Sequence, residues 1–326
     1  MRRIVIAGGS GAVGTVLARY FHRLGDSVTV LSRRPQATAW KTVWWDGASL
    51  GDWAGEVDGA DVVINLAGRS VDCRYTIANR REIMNSRVAS TRVVGRAIAA
   101  AARPPAVWLN ASTATIYRHS LDRAMDEATG EIGGREGAPM STWKFSIDVA
   151  TAWEKAFFEA PAPGVRKVAL RSAMTAIAGV SWLGKLSGLA KLGLGGAAGA
   201  GTQYMSWIHE TDFIRAVEFL IAHAELSGVV NVCSPHPVPN AEFMRALREA
   251  CGVSFGPRVP EWMLRIGSVM IGTEAELILK SRRVVPGRLL AAGFQFRFPT
   301  WAEAVRELLW RPSRVAVSSG LRAAQR

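Results

Sequence analysis

The first 31 residues show two short apolar runs on either side of a stretch with helical spacing. Residues 3–7 form the first run and residues 28–31 the second, and the apolar positions between Val13 and Leu24 recur every three or four residues. Short apolar runs next to glycine are typical of buried strands, and this spacing is typical of an amphipathic helix. The pattern predicts one βαβ unit.

The same alternation continues through the first half of the chain. Three apolar runs alternate with two helical stretches, in the order 61–68, 77–102, 106–111, 142–159 and 166–171. Strands that are apolar at every position are buried on both faces, which is typical of a parallel sheet covered by helices on both sides. We therefore expect an α/β fold, a doubly wound parallel sheet of the Rossmann type, over residues 1–172.

The pattern changes after residue 172. The glycine-rich stretch 184–202 is interpreted as a mobile loop near a ligand or on the surface. Beyond it the sequence predicts short helices at 211–223 and 241–250 around a strand at 228–233, and a mostly helical stretch at 260–310. We expect a smaller C-terminal part, 173–310, to extend the sheet and to close over a ligand cleft with its last segment, about 258–310. The remaining residues, 311–326, form a basic tail that we expect to be disordered.

The charge of the chain raises the question of an anionic partner. The 326 residues carry 40 Lys and Arg against 27 Asp and Glu, a formal net charge of +13. Nucleic acid, an anionic membrane surface or an anionic small ligand would each fit this excess, and a general bias toward arginine would also produce it. The arginines are dispersed and no nucleic-acid-binding motif is present, so no nucleic acid is expected as a partner.

The remaining composition points to a protein of the reducing cytoplasm. Three cysteines and five histidines are scattered without metal-ligand spacing, so neither a disulfide framework nor a metal site is predicted. No apolar stretch reaches the length of a membrane span, and no signal-peptide pattern opens the chain. We expect a cytoplasmic protein without a membrane span, and the sequence leaves its oligomeric state open.

A glycine-rich turn lies between the first predicted strand and helix. The spacing Gly8-x-x-Gly11-x-x-Gly14 lets the backbone approach a pyrophosphate, which the positive end of the helix attracts. This predicts a dinucleotide site whose contacts come from Gly8, Ser10, Gly11, Ala12, Val13 and Gly14.

The end of the second strand indicates which dinucleotide binds. NAD-binding proteins usually carry an acidic residue there, which accepts a hydrogen bond from the ribose 2′-hydroxyl. This chain has Ser32-Arg33-Arg34 instead. Guanidinium groups bind a 2′-phosphate with charge-assisted hydrogen bonds, so the sequence predicts NADP. The alternative is that both arginines are solvated on a surface loop.

Several motifs together resemble the extended short-chain dehydrogenase/reductase superfamily, and within it the bacterial epimerase-family branch, which has a C-terminal domain of unknown function. The motifs are the glycine turn, Asn65-Leu66-Ala67-Gly68, Ser86-Arg87-Val88-x-x-Thr91, Ala111-Ser112-Thr113-Ala114-Thr115-Ile116-Tyr117, Ser206-Trp207-Ile208-His209-x-x-Asp212 and a closing pattern from Pro286 to Pro299. The resemblance implies further cofactor contacts from Asn65, Leu66, Ala67, Gly68 and Ala111. Arg87 either reaches a phosphate or stays on the surface.

The resemblance also implies a chemistry, from which this sequence departs. The superfamily uses a Ser or Thr that holds the substrate oxygen, and a Tyr-x-x-x-Lys pair that transfers a proton. Thr113, with Ser112 beside it, matches the first element, but Phe145 and Val149 occupy the positions of the pair. A phenyl ring cannot donate a proton. Tyr117 and Lys144 are the nearest substitutes in sequence, although Tyr117 could instead pack behind the cofactor and Lys144 could face solvent.

Two functions remain open at this point. The first is an NADP(H)-dependent oxidoreductase or nucleotide-sugar epimerase that acts on a small anionic or sugar-like molecule. The second is a non-catalytic NADP(H)-binding protein that acts through a partner, since the usual proton donor is missing. Near the motifs, Glu154 is interpreted as an ion-pair partner, His209 as a structural histidine and Asp212 as a helix cap.

Overall fold

The fold is built around a seven-stranded sheet in which every strand is parallel to its neighbours. The computed structural model describes residues 1–134, 141–179, 181–264, 266 and 274–310. In chain order the strands of this sheet are β1 (Arg3–Ala7), β2 (Ser27–Ser32), β3 (Lys41–Trp44), β4 (Val62–Asn65), β5 (Val107–Thr113), β6 (Arg166–Ser172) and β10 (Gly228–Val232). Across the sheet they follow the order β10-β6-β5-β4-β1-β2-β3. The predicted doubly wound α/β fold is confirmed.

Helices cover both faces of the sheet, as the all-apolar strands require. The main helices are α1 (Ala12–Arg23), α2 (Ile77–Ala100), α3 (Ser141–Glu159) and α5 (Glu210–Ala222). Successive residues of a strand point to opposite faces. Ile4 and Ile6 of β1 therefore pack in a core with α1 and α5, while Val5 and Ala7 pack in a second core with α2 and α3.

The strand order places a binding crevice at the carboxyl ends of the central strands. β1 and β4 are neighbours in the sheet, and the chain continues outward from them in opposite directions, to β2 and β3 on one side and to β5 and β6 on the other. Loops that leave two such strands diverge to opposite faces, and ligands of open α/β sheets bind between them. The glycine turn follows β1, and the 65–68 motif lies at the end of β4.

The C-terminal part adds both a strand to the main sheet and a separate core. β10 pairs with β6, and two small sheets form from β7 (Met174–Ala176) with β9 (Trp207–His209) and from β8 (Tyr204–Met205) with β11 (Val238–Pro239). The remaining helices are α4 (Ser181–Lys191), α6 (Asn240–Ala250), α7 (Glu276–Leu279), α8 (Gly287–Ala291) and α9 (Trp301–Trp310). Residues of α4, α6 and α9 form a third core around Phe243 and Trp301, whose rings stack 4.0 Å apart.

Some predictions for this half need correction. The stretch 184–202 begins as part of helix α4, not as a loop, because Leu183 and Ala190 are buried in the third core. The last segment contains short helices separated by irregular chain in the part that the structure describes, so it is less helical than predicted. The tail 311–326 lies outside the described residues. Among those described, no helix combines the length and apolar character needed to cross a membrane.

Candidate active site

The glycine turn after β1 has the geometry that close approach to a phosphate needs. Gly8 has φ of 72°, and a Cβ there would lie 2.7 Å from Cα of Ala67. A Cβ at Gly14 would lie 2.6 Å from the carbonyl oxygen of Gly9. Side chains at either position would push the turn apart. No side chain caps the N-terminus of α1, and its first turn holds no acidic residue, so its N–H groups and positive dipole face the crevice.

The residues after β2 present two uncommitted positive charges. The Ser32 hydroxyl is buried and bonds to the Ser10 hydroxyl at 3.0 Å and to the backbone of Arg34, which ties this loop to the glycine turn. Arg33 and Arg34 are exposed, and within the described part of the chain neither forms a salt bridge with a carboxylate. The two guanidinium groups are therefore free to meet an anion beside the turn.

Buried side-chain amides hold the 65–68 loop in place. Asn65 donates to Asn110 at 2.7 Å and accepts from the backbone N–H of Ala67 at 3.1 Å. The Thr91 hydroxyl joins the same network and accepts from the Trp153 indole at 3.0 Å. The Asn65 side chain is fully buried. The side chain therefore positions the loop. It does not face the crevice, as the direct cofactor contact predicted for it would require.

Arg87 lies on the crevice with its charge uncompensated. Its guanidinium donates to the carbonyl oxygens of Arg69 and Ile83 and lies 5.1 Å from the Trp153 ring centroid. No described carboxylate pairs with it, and burial lowers its pKa to about 10. A buried cation is costly unless an anion compensates it. This favours the interpretation in which Arg87 reaches a phosphate.

A cleft of about 420 Å³ opens where these loops meet β5, α3 and α7. Seven of the predicted site residues line it, namely Ala12, Val13, Leu66, Arg87, Ala111, Ser112 and Thr113. The other predicted cofactor contacts lie near the carboxyl ends of the same strands. Gly14 is in the first turn of α1 and Ser32 ends β2, and the loops that follow β1, β2 and β4 contain Gly8, Ser10, Gly11, Arg33, Arg34, Ala67 and Gly68. A larger open depression on the outer side of α2 and α3 contains none of the predicted site residues.

The two hydroxyls after β5 differ in what they can offer a ligand. Ser112 donates to Glu154 at 2.6 Å, and that carboxylate also forms a bidentate ion pair with Arg171. The Ser112 proton is therefore committed inward. Among the described residues Thr113 forms one side-chain hydrogen bond, which it accepts from the backbone N–H of Thr115 at 3.2 Å, so its own proton can be donated to a ligand in the cleft.

The helix that should carry the Tyr-x-x-x-Lys pair presents apolar side chains instead. Phe145 and Val149 both line the cleft, one helical turn apart, as the sequence predicts. Neither predicted substitute reaches the cleft. Lys144 is exposed on the outer side of α3 and pairs with Asp148 at 2.7 Å. Tyr117 is 1% exposed, and its hydroxyl is held by Asn231 and Arg171, both at 2.9 Å.

Three polar residues at the cleft were not singled out from the sequence. Tyr75 and Ser146 line it, and the Ser146 hydroxyl lowers the pKa of Tyr75. The Ser146 hydroxyl lies 2.9 Å from Oε2 of the buried Glu276. These residues are far apart in sequence and form no short motif, so only the tertiary structure could reveal them.

Three further interpretations can now be compared with the structure. Glu154 is an ion-pair partner, as expected. His209 is fully buried and caps α5 by accepting from the N–H of Thr211. Asp212 does not cap that helix, because its oxygens accept from the backbone N–H groups of Arg297 and Phe298, both at 2.8 Å. It tethers the closing segment to α5.

Comparison with known proteins agrees with this geometry. Residues 4–157 match the NAD dependent epimerase/dehydratase family, and residues 259–308 match a domain of unknown function, DUF1731. An epimerase family protein of Mycobacterium bovis is 32% identical over 310 residues, which cover 95% of this chain and 98% of that protein. The chain belongs to the epimerase family. The family resemblance inferred from the motifs is thereby confirmed.

Relatives of this epimerase-family chain extend from bacteria to mammals. The epimerase family protein SDR39U1 of Bos taurus is 30% identical over 312 residues, covering 94% of this chain and 99% of that protein. The crystal structure of human SDR39U1 (isoform 2) with NADPH superposes with a TM-score of 0.82 at 28% identity, covering 94% of this chain and 98% of that one. A nucleoside-diphosphate sugar epimerase from Corynebacterium glutamicum has a TM-score of 0.73 at 25% identity, and the match covers 94% of this chain and 58% of that one.

Proposed function

We propose that this protein binds NADP(H) and uses it to oxidise, reduce or epimerise a small anionic or sugar-like molecule. The observation that carries the proposal is the pair of free guanidinium groups, Arg33 and Arg34, beside an uncapped helix N-terminus at the crevice of the sheet. Human SDR39U1, a relative with the same fold, has been solved with NADPH.

The residues present fit the phosphate groups of the cofactor. Gly8 and Gly14 leave the space that a pyrophosphate needs, and the N–H groups of α1 point at it. Arg33 and Arg34 would hold the 2′-phosphate, and Arg87 supplies a further positive charge toward the cleft. When bound, NADP(H) supplies or accepts hydride. The side chains of this protein have to orient the substrate and move the proton.

A nucleotide titration tests the cofactor assignment. Because the protein offers two arginines and no carboxylate at the end of β2, NADPH should bind at least about tenfold more tightly than NADH, equivalent to about 1.4 kcal/mol. Tryptophan-to-nicotinamide energy transfer measures both affinities in one assay. Equal affinities for the two nucleotides would overturn the assignment of NADP.

Thr113 is the residue we propose to hold the substrate oxygen, because it is the hydroxyl after β5 whose proton is uncommitted. A panel of carbonyl compounds and nucleotide sugars, followed by NADPH absorbance, should include at least one that is consumed. Thr113→Ala should slow that reaction about 10- to 1000-fold, as loss of a donor to a developing oxyanion does. Thr175→Ala, another cleft threonine, provides a matched control. No turnover of any compound would count against catalysis.

A non-catalytic role is the second candidate, and the apolar pair Phe145 and Val149 favours it. In that case the protein would sense the cofactor and act through a partner. Affinity capture in NADP⁺ and in NADPH distinguishes this role, since a sensor should retain different partners in the two states. Identical partners in both would remove the support for it. Cytoplasmic location and the lack of a nucleic-acid partner stay predictions from the sequence.

A further inference from the structure

A buried polar cluster reaches the cleft at the place where the family's tyrosine is missing. Tyr75 belongs to the loop before α2, and its ring packs edge-on against Phe145 with centroids 5.1 Å apart. Tyr75 is 8% exposed and lines the cleft. The phenyl ring at the expected tyrosine position thus supports a phenol that comes from another part of the chain.

The phenol has a connection to a buried acid. Ser146, the residue after Phe145, lines the cleft together with Tyr75, and its hydroxyl donates to Glu276 Oε2 at 2.9 Å. Glu276 is 1% exposed, and its other oxygen, Oε1, has no hydrogen-bond partner among the described residues. The guanidinium nitrogen Nη2 of Arg282 lies 4.0 Å from Oε1. A carboxyl group buried in this way can hold a proton that its neighbours can accept.

We propose that Tyr75 exchanges a proton with the substrate oxygen, and that Ser146 connects it to Glu276 as the proton store. This inference rests on the proposed function. It makes Tyr75 a catalytic residue and Ser146 and Glu276 positioning residues behind it. Phe145 then keeps a role as the surface against which the phenol is held.

The proton balance closes in both directions. In a reduction, the carbonyl carbon gains hydride and its oxygen takes the proton of the Tyr75 hydroxyl. Tyr75 recovers a proton from Ser146, and Ser146 recovers one from Glu276, which becomes a carboxylate facing Arg282. Solvent returns the proton to Glu276 afterwards. In an oxidation every transfer is reversed, with the alcohol proton passing through the same hydroxyls.

The electrostatics of the cluster suit a donor that stays protonated. Burial raises the pKa of Tyr75 to about 12 and also raises the pKa of Glu276. Glu276 further raises the pKa of Tyr75, whereas the Ser146 hydroxyl lowers it. The charged and titratable groups around Tyr75 are Cys73 and Arg74 in its own loop, Arg80 and Arg87 on α2, and Glu274, Glu276 and Arg282 in the C-terminal segment.

Proton release on NADP⁺ binding tests the inference without a substrate. A bound nicotinamide cation near the phenol would lower the Tyr75 pKa, because a nearby positive charge favours the phenolate. Calorimetry in buffers of different ionisation enthalpy, over about pH 7 to 10, should show proton release by the wild type. Tyr75→Phe should release none at these pH values, and Tyr204→Phe, which changes a tyrosine outside the cleft, should behave as the wild type.

Substitutions of the two positioning residues should shift the pH at which this proton is released, in opposite directions. Glu276→Gln should shift it to lower pH, because the carboxylate that Glu276 becomes on giving up its proton, which disfavours a phenolate at Tyr75, is then absent. Ser146→Ala should shift it to higher pH, because a hydrogen bond to the phenolate is lost. These shifts remain measurable should Tyr75→Phe fail to fold. Affinity for NADPH should stay within about threefold in all variants.

Each outcome separates this inference from the proposed function. Failure of NADP⁺ and NADPH to bind would overturn the proposed function and this inference with it. Nucleotide binding with no proton release, or with release that persists in Tyr75→Phe, would overturn only the inference. With a substrate from the panel, Tyr75→Phe should lower kcat about 10²- to 10⁴-fold with little change in KM.

Discussion

The two halves of the cleft are built in different ways. On the side of β1 and β2, the groups that face the crevice are main-chain N–H groups exposed by glycines, with Arg33 and Arg34 beside them. On the side of β5 and α3, they are side chains that come from α3, from α7 and from the loop that precedes α2. Contacts from main-chain N–H groups require particular glycine spacings in the sequence, whereas a polar side chain can come from any neighbouring element. The first half therefore keeps a motif, and the second half can replace its proton donor.

The largest expected effect lies beneath the side-chain half. Glu154 accepts from Ser112 and pairs with Arg171, and both ionic groups are about nine-tenths buried. Glu154→Ala leaves the arginine buried without a partner and should reduce the free energy of unfolding by about 3–5 kcal/mol. Urea denaturation measures this. Lys144→Ala removes the exposed pair with Asp148 on the same helix, and should cost no more than about 0.5 kcal/mol.

In the main-chain half, one methyl group added to the glycine turn should be enough to weaken cofactor binding. Gly14→Ala places Cβ against the backbone of Gly9 and should weaken NADPH binding about 100-fold, or about 2.7 kcal/mol. At Gly55, in the segment between β3 and β4, a Cβ would meet no atom within 4 Å, so Gly55→Ala should bind within about threefold of the wild type. Fluorescence titration compares the two variants. Equal losses would show that the turn is not held by the tight contact at Gly14.

A smaller effect should distinguish the two nucleotides. Arg33→Asp should weaken NADPH binding about 10- to 100-fold and leave NADH binding almost unchanged, because charge-assisted hydrogen bonds contribute about 1.5–3 kcal/mol. Arg23→Asp makes the same change of charge at the far end of α1, and should affect both nucleotides little. An unchanged preference in Arg33→Asp would contradict its assignment to the 2′-phosphate.

The smallest effect concerns pH and the side-chain half. Burial raises the pKa of Glu276 above its ordinary value of 4.5, so the folded protein holds this proton more tightly than the unfolded chain. Stability contributed by Glu276 is then fully present below pH 4.5 and is lost as the pH rises through the folded pKa. Over that rise in pH, the free energy of unfolding of Glu276→Gln should increase relative to that of the wild type by on the order of 1 kcal/mol.

Denaturant unfolding at a series of pH values measures this difference. The exposed Glu225→Gln should leave the wild-type pH profile unchanged. A profile of Glu276→Gln parallel to that of the wild type would show that the buried carboxyl group is already ionised.

The same contrast explains what could be predicted from the sequence. The parallel sheet and glycine turn follow from apolar runs and glycine spacing, which act locally. β3 was missed because it is a half-exposed edge strand that starts at a lysine. Lys144 was proposed for its closeness in sequence to Phe145, but adjacent helical residues point about 100° apart. Tyr117 points into a buried network for which the sequence has no signature.

The position of β10 has a consequence for how the chain is made. This strand pairs with β6 at the edge of the sheet, yet Ser172 and Gly228 are separated by the whole segment that contains α4 and α5. At roughly 5–20 residues per second, a ribosome needs about 3–11 s to synthesise that segment. Until then β6 is an uncovered edge, the kind of surface on which nascent chains aggregate. A protein ended at residue 172 would keep that edge permanently and should precipitate.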